Sequence, residues 1–227
     1  MEGQPLIDSP ATNQSYGNAS RKAELAGPLV KPVTPIHTLS PAEIQEMMVQ
    51  YEKLARRDYV LGSPRVDQLL TLIQFNVFRA LVCNTFTIGF TMEWLDENAV
   101  SPWSLSTFAN IDPSCPTSLR PTMLQRKIYH HPWIDLFPIP KMRDNLLLAG
   151  DSYDETALCN DLIDFCDVPN EKTGLIVWSE PWDPSGWEVS TAFVAKWGWV
   201  IEGCDKLIES TNYWRAKRGE NVLSLRT

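Results

Sequence analysis

The stretch from Val66 to Leu81 constrains the fold more than any other. Val66, Leu69, Leu70, Ile73, Val77, Ala80 and Leu81 recur at helical spacing, and Leu72, Phe75 and Phe78 widen the stripe. A helix that is apolar around so much of its circumference has to be touched on several sides, so it predicts a central spine with other elements packed on it. The apolar run from Leu69 to Phe90 is long enough to cross a bilayer, but Gln74, Asn76, Arg79 and Asn84 lie through its middle. It reads as a core helix with no membrane partner.

Other elements follow from caps and breakers. Ser40, Pro41 and Glu43 form an N-cap, an N1 proline and a capping-box carboxylate. They start a helix to about Arg57, with Ile44, Met47, Met48, Tyr51, Leu54 and Ala55 on one face, before Gly62, Ser63 and Pro64 break the chain. Pro102, Pro113, Pro116 and Pro121 make 98–121 a long irregular surface segment. Pro140 to Leu148 is helical and stops at Gly150, and an acidic helix runs from Asp151 to Cys166. Gly174 to Trp178 reads as a short buried strand. Ser190 caps a helix to about Ile201, Gly203 stops it, and a last helix covers Asp205 to Lys217.

The expected fold is therefore mainly α: a compact helical domain with an aromatic-rich core and at most one or two short β-strands. Nine Trp supply large rings that each need a partner for the indole N–H. Residues 1–38, rich in Ser, Asn, Gln and Pro, read as a disordered leader; 39–220 form the single domain and 221–227 a tail.

A net charge of -8 has the wrong sign for a domain that neutralises phosphates, so direct DNA binding is not expected. Arg215, Lys217 and Arg218 are the one basic run of note, and they fit the last turn of a helix, where cations complement the orphan carbonyls. The five cysteines, Cys83, Cys115, Cys159, Cys166 and Cys204, are scattered and odd in number, which fits buried thiols in a reducing compartment. Met1, Glu2 and Gly3 do not open a signal peptide, so an intracellular location is expected.

Three places look chemical. Gly150, Asp151 and Ser152 resemble the nucleophile block of GDS-type serine esterases, but those enzymes place a histidine downstream, and the last one here is His131. A glycine helix stop followed by an Asp/Ser cap is the simpler reading. His130 and His131 precede Pro132, and their side chains diverge, so joint metal ligation is awkward and no metal site is expected. Asp135 is close enough to orient one ring, which leaves a His–Asp acid/base pair beside plain structural hydrogen bonding. Finally, Glu180, Asp183 and Glu188 sit among Trp178, Trp182 and Trp187. Carboxylates walled by indoles suit a ligand or substrate pocket, whereas Pro181, Pro184 and Gly186 suit a tight turn with core-anchoring rings. No phosphate-cradling or dinucleotide motif is present, and no cofactor is expected.

From Ser63 to Leu81, Ser118 to Leu162 and Gly174 to Glu220 the chain resembles one family, most specifically in HPWIDLFP, MRDNLL, PWDPSGWEV, KWGW and STNYWRAKRGE. It is the fungal domain of unknown function commonly found C-terminal to a basic leucine zipper in filamentous-fungal transcription factors. The resemblance covers about residues 63–220. It implies regulation of transcription, often of specialised metabolism, in the nucleus more than the cytoplasm. The basic region and leucine heptads of that context do not precede Ser63.

Two functions follow as expectations. The first is a non-enzymatic regulatory module acting through a protein partner, such as a basic-leucine-zipper transcription factor, or through a small ligand at Trp178, Glu180, Trp182, Asp183 and Trp187. The alternative is a cofactor-independent isomerase, lyase or hydrolase of secondary metabolism using His130, His131, Asp135 and Asp183.

Overall fold

The computed structural model describes residues 66–96, 98–105, 112–163 and 174–224, with scattered positions from 42 to 53. The leader, the Gly62 to Pro64 break and Cys166 lie outside the described residues. Positions 42, 43, 45, 46, 48 to 50 and 53 are helical, in keeping with the first expected helix.

The described fold is mainly helical. Helix α1 (Val66–Thr87) is followed by a series of single 3-10 turns, then α2 (Pro140–Ala149) and α3 (Glu155–Ile163). Strands β1 (Leu175–Val177) and β2 (Trp187–Val189) pair antiparallel, with Leu175 opposite Val189 and Val177 opposite Trp187. Helices α4 (Thr191–Trp197) and α5 (Asp205–Lys217) complete the chain order.

Helix α1 does form the spine. Val77, Phe78, Ala80, Leu81 and Val82 are all buried, β1 lies against α1, and β2 lies against α5. Among the described residues no helix is long and apolar enough to cross a membrane. The core is aromatic: Trp133 meets Phe137 edge-on at 5.8 Å, and Phe137 meets Trp187 at 6.1 Å. Cys115, Cys159 and Cys204 are buried, and Cys83 is half-buried.

The described parts of 98–121, residues 98–105 and 112–121, hold no long element, as expected, yet they are not a surface segment throughout. Ser101, Pro102, Trp103, Cys115 and Leu119 are buried, and Trp103 packs on Phe90 with ring centroids 5.3 Å apart. The prolines prevent long elements, but a 3-10 turn needs only three residues. Pro102 opens one that drives Trp103 inward, with the Ser101 hydroxyl accepting from the Trp103 N–H at 3.2 Å.

Two boundaries also shift. Gly150 takes φ of +52° and leads into a 3-10 turn, 150–152, so the acidic helix starts only at Glu155. Its first turn is held by Asp154, whose Oδ1 accepts from the Ala157 N–H at 2.9 Å, in place of the expected Asp151 and Ser152 cap. After Ser190, whose hydroxyl accepts from the Phe193 N–H at 3.1 Å, α4 ends at Trp197 and tightens into a 3-10 turn from Gly198 to Ile201. Asn145 of α2 donates to the carbonyls of Val200 and Glu202 at 3.0 and 2.9 Å, which satisfies the end of that turn.

Candidate functional site

The two histidines are neighbours with opposite roles. His130 is fixed by acceptors at both ring nitrogens: Nδ1 is 2.7 Å from the Ile128 carbonyl, and Nε2 is 2.9 Å from Asp135 Oδ1. A neutral imidazole has only one N–H, so this geometry assigns His130 as the imidazolium. Burial alone pushes its pKa down, but the hydrogen bond and charge of Asp135, helped by the Ile128 carbonyl, outweigh burial and the nearby Arg143. The net displacement is upward from the usual histidine value.

Asp135 is the hub of this network. It is fully buried and accepts from three donors: the Ser101 hydroxyl at 2.5 Å, the Gln125 side-chain amide, and His130. Ser101 and Gln125 are themselves fully buried. The serine contacts the carboxylate and the histidine contacts the same carboxylate, so serine and base do not form a nucleophile–base pair. Both nitrogens of His130 are occupied, leaving no lone pair to take a substrate proton.

His131 Nδ1 accepts from the Trp133 N–H at 3.2 Å, and Nε2 lies 2.8 Å from the Asp96 carbonyl. One nitrogen must donate and the other accept, which is the neutral ring. Burial lowers its pKa, only partly offset by the Asp96 carbonyl and by Glu155 and Asp135. The ring caps the 3-10 turn from Pro132 to Leu136, whose residues are all buried.

Arg143, absent from the sequence-level candidates, is the other centre of this region. It is fully buried, and its guanidinium donates to the carbonyls of Ser118 at 3.0 Å, Phe137 at 2.7 Å and Arg120 at 2.8 Å. Burial lowers its pKa to about 10, with Asp135 and Asp144 opposing. It ties the 3-10 turn at Thr117–Leu119 and its C-cap Arg120 to Phe137, the C-cap of the turn Pro132–Leu136.

The tryptophan-rich segment divides into a core half and a surface half. Trp187 is fully buried and donates through Nε1 to the Pro181 carbonyl at 2.9 Å. Asp183 caps its own turn: its two oxygens accept from the Ser185 N–H at 2.9 Å and the Ser185 hydroxyl at 2.7 Å. Gly186 is required for close approach, since a Cβ there would lie 2.1 Å from Ser179 Oγ.

Side chains from three other regions fasten the turn's carbonyls. Asn84 of α1 donates to Pro181 at 2.9 Å and to Leu136 at 2.8 Å, and the Ser118 hydroxyl donates to Trp182 at 2.5 Å. From α5, the Ser210 hydroxyl and Trp214 Nε1 both donate to Ser185, at 2.6 and 2.9 Å. The turn is thus held in one shape while Trp178 and Trp182 remain 40% and 42% exposed. Glu180, between them, is exposed.

Between this turn and α5 lies a cleft of about 600 Å³, lined by Ser179, Asp183, Ser185, Glu209, Tyr213 and Trp214 among others. It includes Asp183 of the expected site residues but neither His130 nor His131. Trp178 stacks on Trp214 with centroids 5.3 Å apart and planes 20° from parallel. Behind it, buried Glu188 accepts from Trp178 Nε1 at 2.8 Å and from Arg218 at 2.9 and 2.6 Å. Arg218 also pairs with Glu220 at 2.6 Å, and Arg215 with Glu220 at 3.1 Å. Lys217 sits 5.1 Å over the Tyr213 ring. The basic run is thereby engaged within the chain. Among the described residues no group of three or more His, Cys, Asp or Glu is placed to hold a metal ion.

Residues 98–209 match a family model described as a domain of unknown function, DUF3425. No curated protein and no solved structure matches the chain. The DUF3425 segment contains the Asp135 network and the fastened turn, but it stops at Glu209, inside α5. Residues outside it complete the turn and its supports: Asn84 reaches the turn from before the segment, and Ser210, Thr211 and Trp214 bond to the turn and to β2 from beyond it. Thr211, for example, accepts from the Val189 N–H at 3.0 Å. The folded unit is larger than the matched DUF3425 span.

Proposed function

We propose that this DUF3425-containing chain is a non-enzymatic interaction module of transcription regulation, acting in the nucleus on genes of specialised metabolism by binding a protein partner. The observation that carries the binding part is the fastened turn from Pro181 to Gly186, which presents the exposed Trp182 indole beside a cleft, with exposed Trp178 shortly before it. A surface ordered before binding incurs little further entropy loss on association. Exposed tryptophans on such a surface are the residue type that dominates interface energetics.

The polar residues of the family-like motifs support the same reading. In HPWIDLFP, MRDNLL and STNYWRAKRGE, the side chains of His131, Asp135, Arg143, Asn145, Ser210, Thr211 and Arg218 bond within the fold. These motifs serve the architecture that shapes the cleft. The regulatory context rests on the resemblance to regulators carrying a basic leucine zipper, and the paired Arg215 and Arg218 favour a protein partner over duplex DNA.

The test is affinity capture of the tagged full chain from nuclei of cells that express it, beside a Trp182→Ala variant. Recovery of a transcription factor that the variant loses supports the reading. Recovery of none, with the tagged protein confined to the cytosol, contradicts it.

A further inference from the structure

Three aromatic rings form a continuous run beside the cleft, which Tyr213 and Trp214 line: Trp178 stacks on Trp214, and Tyr213 meets Trp214 edge-on at 5.2 Å. Two of the three already hold a cation of this chain. Arg218 lies 5.1 Å over Trp178, and Lys217 lies 5.1 Å over Tyr213. The third, Trp214, lines the cleft and carries no cation among the described residues.

The carboxylates divide in the same way. Glu188 and Glu220 neutralise Arg218, Glu220 also neutralises Arg215, and Asp183 is occupied by its own turn. Glu209 is exposed on the cleft wall and has no ion-pair partner among the described residues, one helical turn before Tyr213 and Trp214. Lys206 is the cleft's one cation, so the charges lining it, Asp183, Glu209 and Lys206, sum to a net negative value on a chain of net charge -8.

The geometry points to this cleft as the seat of an arginine or lysine side chain from a partner polypeptide, its cationic head placed between the Trp214 ring and the Glu209 carboxylate. An aromatic face attracts a cation through its quadrupole, and a neighbouring carboxylate adds charge and orientation. The aliphatic stem of such a side chain would lie along Pro184 and Tyr213, which supply the apolar wall. This deepens the protein-binding reading and rests on it.

The experiment follows tryptophan indole N–H resonances of the full-length ¹⁵N-labelled protein, with Trp214→Phe identifying the Trp214 signal. Three short blocked peptides are titrated: Gly-Arg-Leu-Gly, the same peptide with neutral citrulline for arginine, and the same with glutamate. The arginine peptide should shift the Trp214 signal saturably, about five- to tenfold more tightly than the citrulline peptide. Glu209→Gln should reduce the arginine peptide's advantage to about twofold or less.

Equal binding of arginine and citrulline peptides at Trp214, or tighter binding of the glutamate peptide, overturns the cation assignment while leaving the cleft as a binding face. Absence of any shift at Trp214 with all three peptides also overturns it. A charge-ordered response at Trp214 from a chain that captures no nuclear regulator supports the cation site and refutes the regulatory reading, so the two failures are separable.

Discussion

His130 Nε2 lies 2.9 Å from Asp135 Oδ1, with the histidine side chain 3% exposed and the aspartate 0%. The pair joins parts of the chain that have no regular secondary structure in common, through Ser101, Gln125 and the Ile128 carbonyl. Removing one member of a buried ion pair leaves the other charge without compensation. His130→Ala should therefore lower the unfolding free energy by about 3–5 kcal/mol, measured by urea denaturation. A loss within about 0.5 kcal/mol would show that the pair does not hold the segment.

The two adjacent histidines should give opposite pH slopes. His130 has a raised folded pKa, so its contribution is complete below the unfolded value of about 6.5 and is lost as pH rises through the folded value. His131 has a lowered folded pKa, so its contribution is complete above about 6.5 and is lost as pH falls through the folded value. Stability from these two groups peaks near the unfolded histidine pKa. His130→Gln should remove the decline on the alkaline side and keep the acid-side decline, as read by unfolding curves across pH.

Arg143 holds three backbone carbonyls with two nitrogens, a geometry that depends on its planar fork. Arg143→Met should cost about 3–5 kcal/mol because those carbonyls stay buried without their donors. Arg143→Lys keeps a charge but cannot reproduce the fork, so it should recover less than half of that loss. Full recovery by lysine in thermal unfolding would mean that charge alone matters.

Gly186→Ala should destabilise the turn by about 1–3 kcal/mol, since its new Cβ meets Ser179 Oγ at 2.1 Å. Ser179→Ala in the same chain removes that oxygen, although the Ser179 Cβ and N remain 3.2 Å away. A double-mutant cycle should show partial rescue. Strict additivity would place the strain elsewhere.

The fold was legible where burial imposes a period. The spine from Val66, the stop after Ala149 and the last helix to Lys217 all follow from apolar spacing, a positive-φ glycine and a basic last turn. The 3-10 turns around Pro102 and Pro132 were less legible, because a turn of three to five residues has no period and its burial depends on partners far along the chain. Trp103 and Leu119, for that reason, read as surface residues in the sequence.

The site was only partly legible. The His130–Asp135 hydrogen bond was visible as a spacing, but its Ser101 and Gln125 partners were not, since their 34- and 10-residue separations leave no local pattern. Asn84 carried the available signal, a polar residue set among apolar helix neighbours, whereas Arg143 stands among Lys141, Asp144 and Asn145 and carried none. Asn84 entered the sequence reading solely as an argument against a membrane span, whereas the fold uses it to fasten Leu136 and Pro181. The grouping of Trp178, Trp182 and Trp187 also concealed a division: β2 turns Trp187 into the core and leaves the other two exposed.

The protonation state of His130 distinguishes a fastening pair from an acid/base pair most directly. A long-range ¹H–¹⁵N spectrum of the imidazoles at about pH 6.5 should show His130 with both ring nitrogens protonated and His131 as the neutral ring with its proton on Nε2. A neutral His130 with one unprotonated nitrogen would contradict the account, because that ring would retain the lone pair a general base requires.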